Sequence, residues 1–543
     1  MPFKNPAAEF VYMRTYSRWL PDKARREKWD ETVERFITFI VDERGDKIPP
    51  KVIRKIRERL LAFEVMPSMR ALWTAGPAAK FDNTAMYNCS AACIISIETF
   101  AEALYILMCG TGYGFRVLPR DIEQLPAIPE TIVAGTKVFD IEDSKKGWAD
   151  SIKELMLSLY SGHDVTMNYN LVRPSGARLE TMGGRASGPA PLASLHQLIR
   201  DIFYSARGRK LKPLEVHDIC CQIAESVVVG GVRRSSEISL SALDDEDMQN
   251  AKTGDYPVRR WMSNNSAVYE TKPDIFKFMQ EWTALAVSKT GERGIFNLEA
   301  ARATAPERRD ATQIALTNPC CEIQLRDREF CNLSEVVLRE TDTLDDVLDK
   351  IETATWLGAI QATFTHFPYL NKEWKKNCGE ERLLGVSLTG QMDAPHLLTP
   401  EALKAYKSRA IRVAKHAAQK LEINMPAAIT CVKPSGTVSQ VVDSSPGLHP
   451  RFAPHYIRRY RINSTDALYR LMKDQGIKLN AENGQRKKDW DKAHKLYDNR
   501  DLVKARAICP IYDGTEWSAD KVNTWVVSFP AKSPKNAVCA DEQ

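Results

Sequence analysis

The sequence predicts an α/β protein. Three observations carry this. Amphipathic helical stretches recur along the chain, short apolar or alternating stretches fall between them, and no low-complexity tract or internal repeat interrupts the series. The chain has 543 residues, 43% hydrophobic and 27% charged, which is ordinary globular composition with ample material for a large core. Its net charge of +6 comes from 76 basic and 70 acidic residues. A balance that even gives weak support for nucleic acid as a partner and fits nucleotide-sized anions equally well. Twelve cysteines in this length are far from a disulfide scaffold. No apolar run approaches the length of a membrane span, and Met1-Pro2-Phe3-Lys4-Asn5 lacks a signal-peptide core. The expectation is a cytoplasmic protein with reduced thiols, without membrane or nucleic-acid partners.

In chain order, residues 28–44 and 50–64 read as helices. In the second, Val52, Ile53, Ile56, Leu60 and Leu61 share a face, and Pro50 suits the first turn. A helix at about 98–108 leads into Gly110-Thr111-Gly112-Tyr113-Gly114-Phe115. That stretch follows a helix and not a strand, so it reads as a tight turn with close backbone packing, not a dinucleotide fingerprint. Asp143-Ser144 caps a helix through Tyr160 with Trp148, Ile152, Leu155, Met156 and Leu159 as its apolar stripe. Loops at 173–178 and 183–189 combine glycine, hydroxyl and guanidinium groups suited to phosphate or sugar, with plain solvated loops as the alternative. A helix at 214–229 ends at Gly230-Gly231, followed by Val232-Arg233-Arg234, a C-cap with either a solvated face or an anion clamp. Ser236–Leu240 alternates like a strand, and further helices are expected at 273–290, 345–366 and 400–421. Ala428–Lys433 reads as a short strand entering Pro434-Ser435-Gly436-Thr437-Val438-Ser439, a turn rich in phosphate donors. The charged segment 480–507 reads as a solvated helix or linker, and Trp525–Phe529 as a last buried strand.

The most chemically loaded stretch is Thr317-Asn318-Pro319-Cys320-Cys321-Glu322-Ile323, followed by Phe330-Cys331-Asn332-Leu333. It sets a thiol, a carboxylate and an amide within five residues. Pro319 disfavours helix at Asn318, and Ile323 and Leu325 alternate with polar neighbours, so Cys320 and Glu322 are placed at or near a loop tip. Taken alone, the stretch reads first as a turn feeding a buried strand with inert cysteines.

Taken together, these segments carry a family resemblance. Pro67-Ser68-Met69-Arg70, Asn88-Cys89, Gly110 to Phe115, Asp143 to Trp148, Ser187-Gly188-Pro189, Gly230 to Arg234, Asn318 to Glu322, Cys331-Asn332-Leu333 and Pro434 to Ser439 occur in an order that resembles the catalytic chain of ribonucleotide reductases. The similarity is greatest to the adenosylcobalamin-dependent class II, ribonucleoside-triphosphate type. It spans about residues 10–538. The resemblance implies a ten-stranded α/β barrel of two parallel five-stranded halves with a central finger loop. A small helical N-terminal region, 1–66, would precede a barrel at 67–538 with effector-binding helices at about 143–230.

Residue by residue, it implies Cys320 as the transient thiyl radical, Glu322 as the base for the 3′-hydroxyl, and Asn318 as a hydrogen-bonding partner of the ribose hydroxyls. Cys89 and Cys331 would be the redox pair that ends as a disulfide. Ser68, Ser90, Ser187, Gly188 and Pro434, Ser435, Gly436, Thr437, Val438 and Ser439 would bind substrate. Gly230, Gly231, Val232, Arg233 and Arg234 would form the loop through which a deoxynucleotide effector selects the base. Adenosylcobalamin is the implied cofactor, with no protein side chain as a metal ligand, since no Asp-x-His-x-x-Gly motif occurs. The implied partners are a ribonucleoside triphosphate, a deoxynucleotide effector and thioredoxin or a similar dithiol, in a monomer or dimer. A final strand and a two-cysteine tail would follow the segment around Lys532. Cys539 alone does not match that pair, so 539–543 is expected to be a truncated tail with the last strand missing, as in a fragment or a chain completed by another. Cys321 is expected to be a bystander thiol. The rival expectations are the same barrel fed by a separate metal-bearing subunit, and a non-catalytic nucleotide-binding relative.

Overall fold

Proline and side-chain caps start the N-terminal helices where the sequence places them. In the computed structural model, which describes residues 2–177, 186–228, 236–288, 290–464, 466–497, 505–506 and 508–540, the first three are Pro6–Thr15, Trp29–Arg44 and Pro50–Leu61. Asn5 accepts the Ala8 N–H at 2.8 Å, and Pro50 occupies the first turn of its helix. Trp29–Arg44 buries Trp29, Val33, Phe36, Ile37 and Ile40, and Pro50–Leu61 buries Val52, Ile56 and Leu60, one face in each case.

Two half-sheets follow. In the first, Cys89–Cys93, Gly112–Arg116, Glu237–Ala242, Ser263–Tyr269 and Gly294–Asn297 are five neighbouring parallel strands. Glu329–Phe330 adds an antiparallel edge beside Cys89–Cys93. The chain then enters the second half-sheet at Ser334–Val337, parallel to Val386–Thr389 and antiparallel to Val65–Pro67. Ala428–Lys433, expected as a strand, makes a single parallel bridge, Thr430 to Val386. Pro426 and Pro434 flank it, and neither can donate to a ladder. Residues 329–337 thus lead from the six-stranded sheet into the three-stranded one.

Alternation along the strands makes two cores. On the outer face, Ala92, Tyr113 and Phe115 pack under helices that include Ile97–Met108, Lys145–Tyr160 and Pro213–Val228. On the inner face, Cys89, Ala91, Cys93, Ile238, Leu240 and Val268 enclose Leu316, Ile323, Leu325 and Cys331. A parallel sheet apolar on both faces is what helices on one side and a filled interior on the other require. Ser144 caps its helix as read, accepting the Gly147 N–H at 2.9 Å.

The glycine stretch differs from its reading. Gly112–Arg116 is a strand and not a turn, although the close backbone packing is there. A side chain at Gly114 would have its Cβ 2.4 Å from the Thr317 carbonyl oxygen. At Gly112 it would sit 3.3 Å from the Pro319 ring and 3.4 Å from the Cys89 sulfur. The bare backbone lets the segment carrying Cys320 lie flat on the sheet.

Trp525–Phe529 is a strand, but within Thr524–Lys532 of a separate antiparallel sheet with His455–Asn463, half exposed. The charged 480–507 stretch contains the helix Lys487–Tyr497, whose Trp490 and Ala493 share a small core with Ala505, Cys509 and Tyr512. Among the described residues, no helix is long and apolar enough to cross a membrane.

Candidate active site

The finger is a short hairpin. Leu316 and Thr317 pair antiparallel with Leu325 and Gln324. Between them Asn318 fixes the tip. Its N–H donates to the Ile323 carbonyl (3.1 Å), its carbonyl accepts the Cys321 N–H (2.9 Å), and its side-chain oxygen accepts the Ile323 N–H (3.0 Å). Cys321 closes the turn at φ 64°, the left-handed region that a Cβ disfavours. The base of the finger is clamped from both sides. Arg309, ahead of it, and Arg326, just after it, both pair with Glu381, at 2.6 and 3.0 Å, all three buried. Arg116 donates to the Ala315 carbonyl at 3.3 Å.

This geometry brings three sulfurs together. The Cys331 N–H donates to the Cys89 carbonyl at 2.9 Å, so the two cysteines lie side by side on neighbouring strands. The Cys89 thiol hydrogen-bonds to both the Cys331 and the Cys320 thiols. All three are reduced. Cys89 and Cys331 are buried, whereas Cys320, at the tip, is exposed. The Cys320 hydrogen bond pulls the Cys89 thiol down. The Cys331 hydrogen bond, burial and the charge of Glu322 outweigh it and hold Cys89 well above the usual range. Cys320 is also raised, first by its bond to Cys89 and then by burial. Cys89 and Cys320 are thereby held as neutral thiols, suited to giving up hydrogen atoms more than to acting as thiolates.

Glu322 faces the same space. The Asn318 side-chain amide donates to its carboxylate at 2.7 Å. Loss of water pushes the carboxyl up, and the Asn318 bond, its own backbone N–H and the Lys433 charge restrain the shift. A carboxylate tuned upward beside a hydrogen-bonding amide is equipped to take a proton from a substrate hydroxyl. Cys321 is exposed; burial of its sulfur and the neighbouring Cys320 and Glu322 raise it to about 11.

The other expected residues divide into two groups. Ser68 donates to Met86 O and Asn88 Oδ1, both at 3.0 Å, which ties it to the residue before Cys89. Ser90 is fully buried and donates to the Gly112 carbonyl at 3.0 Å. Thr437 Oγ1 donates to Met69 Sδ at 2.8 Å, and Ser435 Oγ donates to Glu335 Oε2 at 2.9 Å. The 434–439 turn therefore sits beside the Ser68 segment. Ser187 and Gly188 lie elsewhere, at the head of Ala190–Ser205. Gly188 adopts φ 76° against Ser175, and no described hydrogen bond ties this pair to the thiols. Gly230 to Arg234 fall outside the described residues.

Sequence reasoning missed Glu335, Cys431 and Lys433. Glu335 is buried, and Lys433 pairs with it at 3.3 Å. The signal was present: each charge interrupts an otherwise apolar strand-like run, and a charge in such a run needs a partner.

A parallel sheet whose inner face takes a hairpin carrying one thiol toward a pair of others is an arrangement suited to a thiol-based reductase. Residues 1–77 match the ribonucleotide reductase alpha domain, and residues 253–422 the ribonucleotide reductase barrel domain. Both matches are to ribonucleotide reductase domains, the family whose catalytic chain the ordered motifs resemble. The chain is similar to the adenosylcobalamin-dependent ribonucleoside-triphosphate reductase of Levilactobacillus brevis, 26% identical with 86% of this chain and 76% of the relative covered. The enzyme of the same name from Lactobacillus leichmannii is 27% identical, covering 87% and 77%. In fold, it matches the crystal structure of a B-12-dependent class II ribonucleotide reductase with a TM-score of 0.76 and 23% identity, over 98% of this chain and 83% of the other.

Proposed function

We propose that this protein reduces ribonucleoside triphosphates to 2′-deoxyribonucleoside triphosphates by thiyl-radical chemistry, with adenosylcobalamin as the radical source. The observation that carries this reading is the hydrogen-bonded set Cys320–Cys89–Cys331 beside Glu322. Cys320, as a thiyl radical, takes the 3′ hydrogen of the ribose; S–H and activated ribose C–H bonds are close enough in strength for the step to be reversible. Glu322 accepts the 3′-hydroxyl proton, and Asn318 holds the ribose hydroxyls. The 2′-hydroxyl leaves as water with a proton from the thiol pair. Cys89 and Cys331 then supply the two electrons by becoming a disulfide, so one ribonucleotide and two thiols give one deoxyribonucleotide, water and one disulfide. Cys320 finally returns its hydrogen to the 3′ carbon, which restores the 3′ C–H bond and leaves Cys320 as the thiyl radical again. The filled interior keeps water from these intermediates.

The residues present fit the cofactor. Cys320 is the exposed thiol of the three, so a hydrogen acceptor arriving from outside meets its sulfur first. When bound, adenosylcobalamin would supply the radical by homolysis of its cobalt–carbon bond. The relatives' names support both the triphosphate substrate and this cofactor. The turn Pro434 to Ser439, with Ser68, Ser90, Ser187 and Gly188, is assigned to substrate, and Gly230 to Arg234 to effector selection. A thioredoxin-type dithiol in the cytoplasm re-reduces the disulfide.

The test is deoxynucleotide formation from CTP, ATP and CDP with adenosylcobalamin and dithiothreitol. Product from the triphosphates, with thiol-dependent change in the cobalamin absorbance, is expected. No absorbance change at any cofactor concentration would remove the cobalamin assignment, and turnover with a metal-bearing partner subunit instead would establish the rival radical source.

A further inference from the structure

A cleft of about 270 Å³ opens beside the proposed phosphate turn, between the first helix, Pro6–Thr15, and the strand His455–Asn463. Thr437 and Gln440 line it from the turn and the short helix that follows, Arg14 from the first helix, and Arg458 and Arg459 from the strand. Tyr16, the residue after the first helix, reaches Thr437 Oγ1 at 3.4 Å, and Phe10 packs on Tyr460 with ring centroids 5.4 Å apart. The first helix is thereby tied to both the turn and the strand. Three guanidinium groups line the cleft, and among the described residues no carboxylate does. Arg458 is half-buried and donates to a neutral acceptor, the Tyr456 hydroxyl, through Nε at 3.3 Å and Nη2 at 3.1 Å. Arg459 is exposed, and neither it nor Arg458 makes an ion pair among the described residues. Arg14 reaches Asp466 at 3.9 Å, a loose pair of partly exposed side chains.

We propose that this cleft is the subsite for the outermost phosphate of the substrate, with Arg458 as its main ligand and Arg14 and Arg459 beside it. These arginines would then select ribonucleoside triphosphates over diphosphates. This inference rests on the proposed reductase function and deepens it. A cation drawn partly out of water is costly unless an anion answers it, and here the room for that anion is built in. One water needs only about 10–15 Å³, so a cleft of about 270 Å³ takes a phosphate group together with its solvent. A guanidinium is a planar fork of donors that matches phosphate oxygens two at a time. Thr437 belongs to both the turn and the cleft, so a nucleotide whose inner phosphates rest on Pro434 to Ser439 points its last one at the arginines. A diphosphate ends at the turn and leaves them in water.

The experiment measures the affinities of CTP, CDP and dGTP for the full chain by isothermal titration. It compares wild type, Arg458→Met, Arg458→Lys, Arg14→Met and the double variant Arg14→Met/Arg458→Met. Loss of a charge-assisted contact should weaken CTP about tenfold or more in Arg458→Met, and further in the double variant, while CDP and dGTP stay within about threefold. Arg458→Lys should keep part of the advantage of CTP, since it keeps the charge and loses the fork. Arg14→Met keeps the comparison meaningful if Arg458→Met folds poorly, because the Arg14 side chain is partly exposed and its ion pair is loose. It should weaken CTP alone, by about threefold. CDP is the control for the turn itself, since damage there weakens CTP and CDP alike. CTP affinity unmoved in both single variants overturns the proposal. So do equal losses for CTP and CDP in both, and so does a loss confined to dGTP, which would give the arginines to an effector. An arginine-dependent preference for CTP in a wild-type protein that forms no deoxynucleotide upholds the subsite and removes the reductase reading. Deoxynucleotide formation with CTP affinity indifferent to the arginines removes the subsite alone.

Discussion

Gly114→Ala should disable the site from beneath the finger. The added Cβ would stand 2.4 Å from the Thr317 carbonyl oxygen, and also 3.2 Å from both Ala91 Cβ and Ile238 Cγ2. Ordinary contact needs about 3.4 Å, so the finger backbone must lift by about 1 Å. The neighbours on either side are strand residues of the same sheet and cannot move instead. Thr317 directly precedes Asn318, so the lift is passed to Cys320 and Glu322. A displacement of that size at reacting groups costs roughly a hundredfold in rate. Overpacking itself costs about 1–3 kcal/mol, a small loss for a chain of 543 residues. The assay is kcat for dCTP formation, with thermal unfolding as the control. Gly112→Ala is the internal comparison, because its contacts of 3.3 Å to Pro319 and 3.4 Å to Cys89 call for shifts of only tenths of an ångström. The expected order is a severe loss at Gly114 and a mild one at Gly112. Near-wild-type kcat for Gly114→Ala, or the reverse order, would refute the reasoning that the finger rests on bare backbone.

Other outcomes follow from the same geometry. Cys320→Ser should abolish exchange of the 3′ hydrogen, measured with labelled substrate, while nucleotide binding stays near normal; Cys331→Ser should retain the exchange yet fail to release clean deoxynucleotide. Because desolvation raises Glu322, the acid limb of kcat/KM should lie above the ordinary glutamate value of about 4.3, and Asn318→Ala, which deletes the 2.7 Å amide bond, should move it higher still. The same upward shift means that the protonated carboxyl favours the fold: this stability is present below the unfolded pKa and is lost as pH rises through the folded one. Glu322→Gln should therefore flatten that part of a stability-versus-pH curve measured by urea unfolding. Cys321→Gly should stabilise by up to about 1 kcal/mol through relief of the φ 64° backbone, read as a raised denaturation midpoint. Arg309→Met should destabilise by about 3 kcal/mol, because it removes the cation beside buried Glu329 and leaves Glu381 with Arg326 alone, and a matching loss of kcat should accompany it.

How much of this was legible in the sequence depends on what each residue needed to be recognised. Helices such as Pro50–Leu61 and Pro400–Leu421 were legible because their caps and apolar spacing are local properties, and their bounds agree with the readings to within a few residues. The chemical residues Asn318, Cys320 and Glu322 were legible because they crowd into one turn of unusual composition, and Cys89 and Cys331 through the ordered resemblance. Gly112–Arg116 was misread as a turn because glycine's local preference is for turns, whereas its purpose here is set by a finger about two hundred residues away in the chain. Lys433 and Glu335 were passed over for a related reason. Each is a single charge in an apolar run, and only the fold shows that the two charges answer one another. What the sequence conceals is the long-range complement of a locally awkward residue. A bare glycine in a strand and a charge in a core both mark places where something distant must come close. In this chain both kinds of mark surround the same carboxylate and thiols.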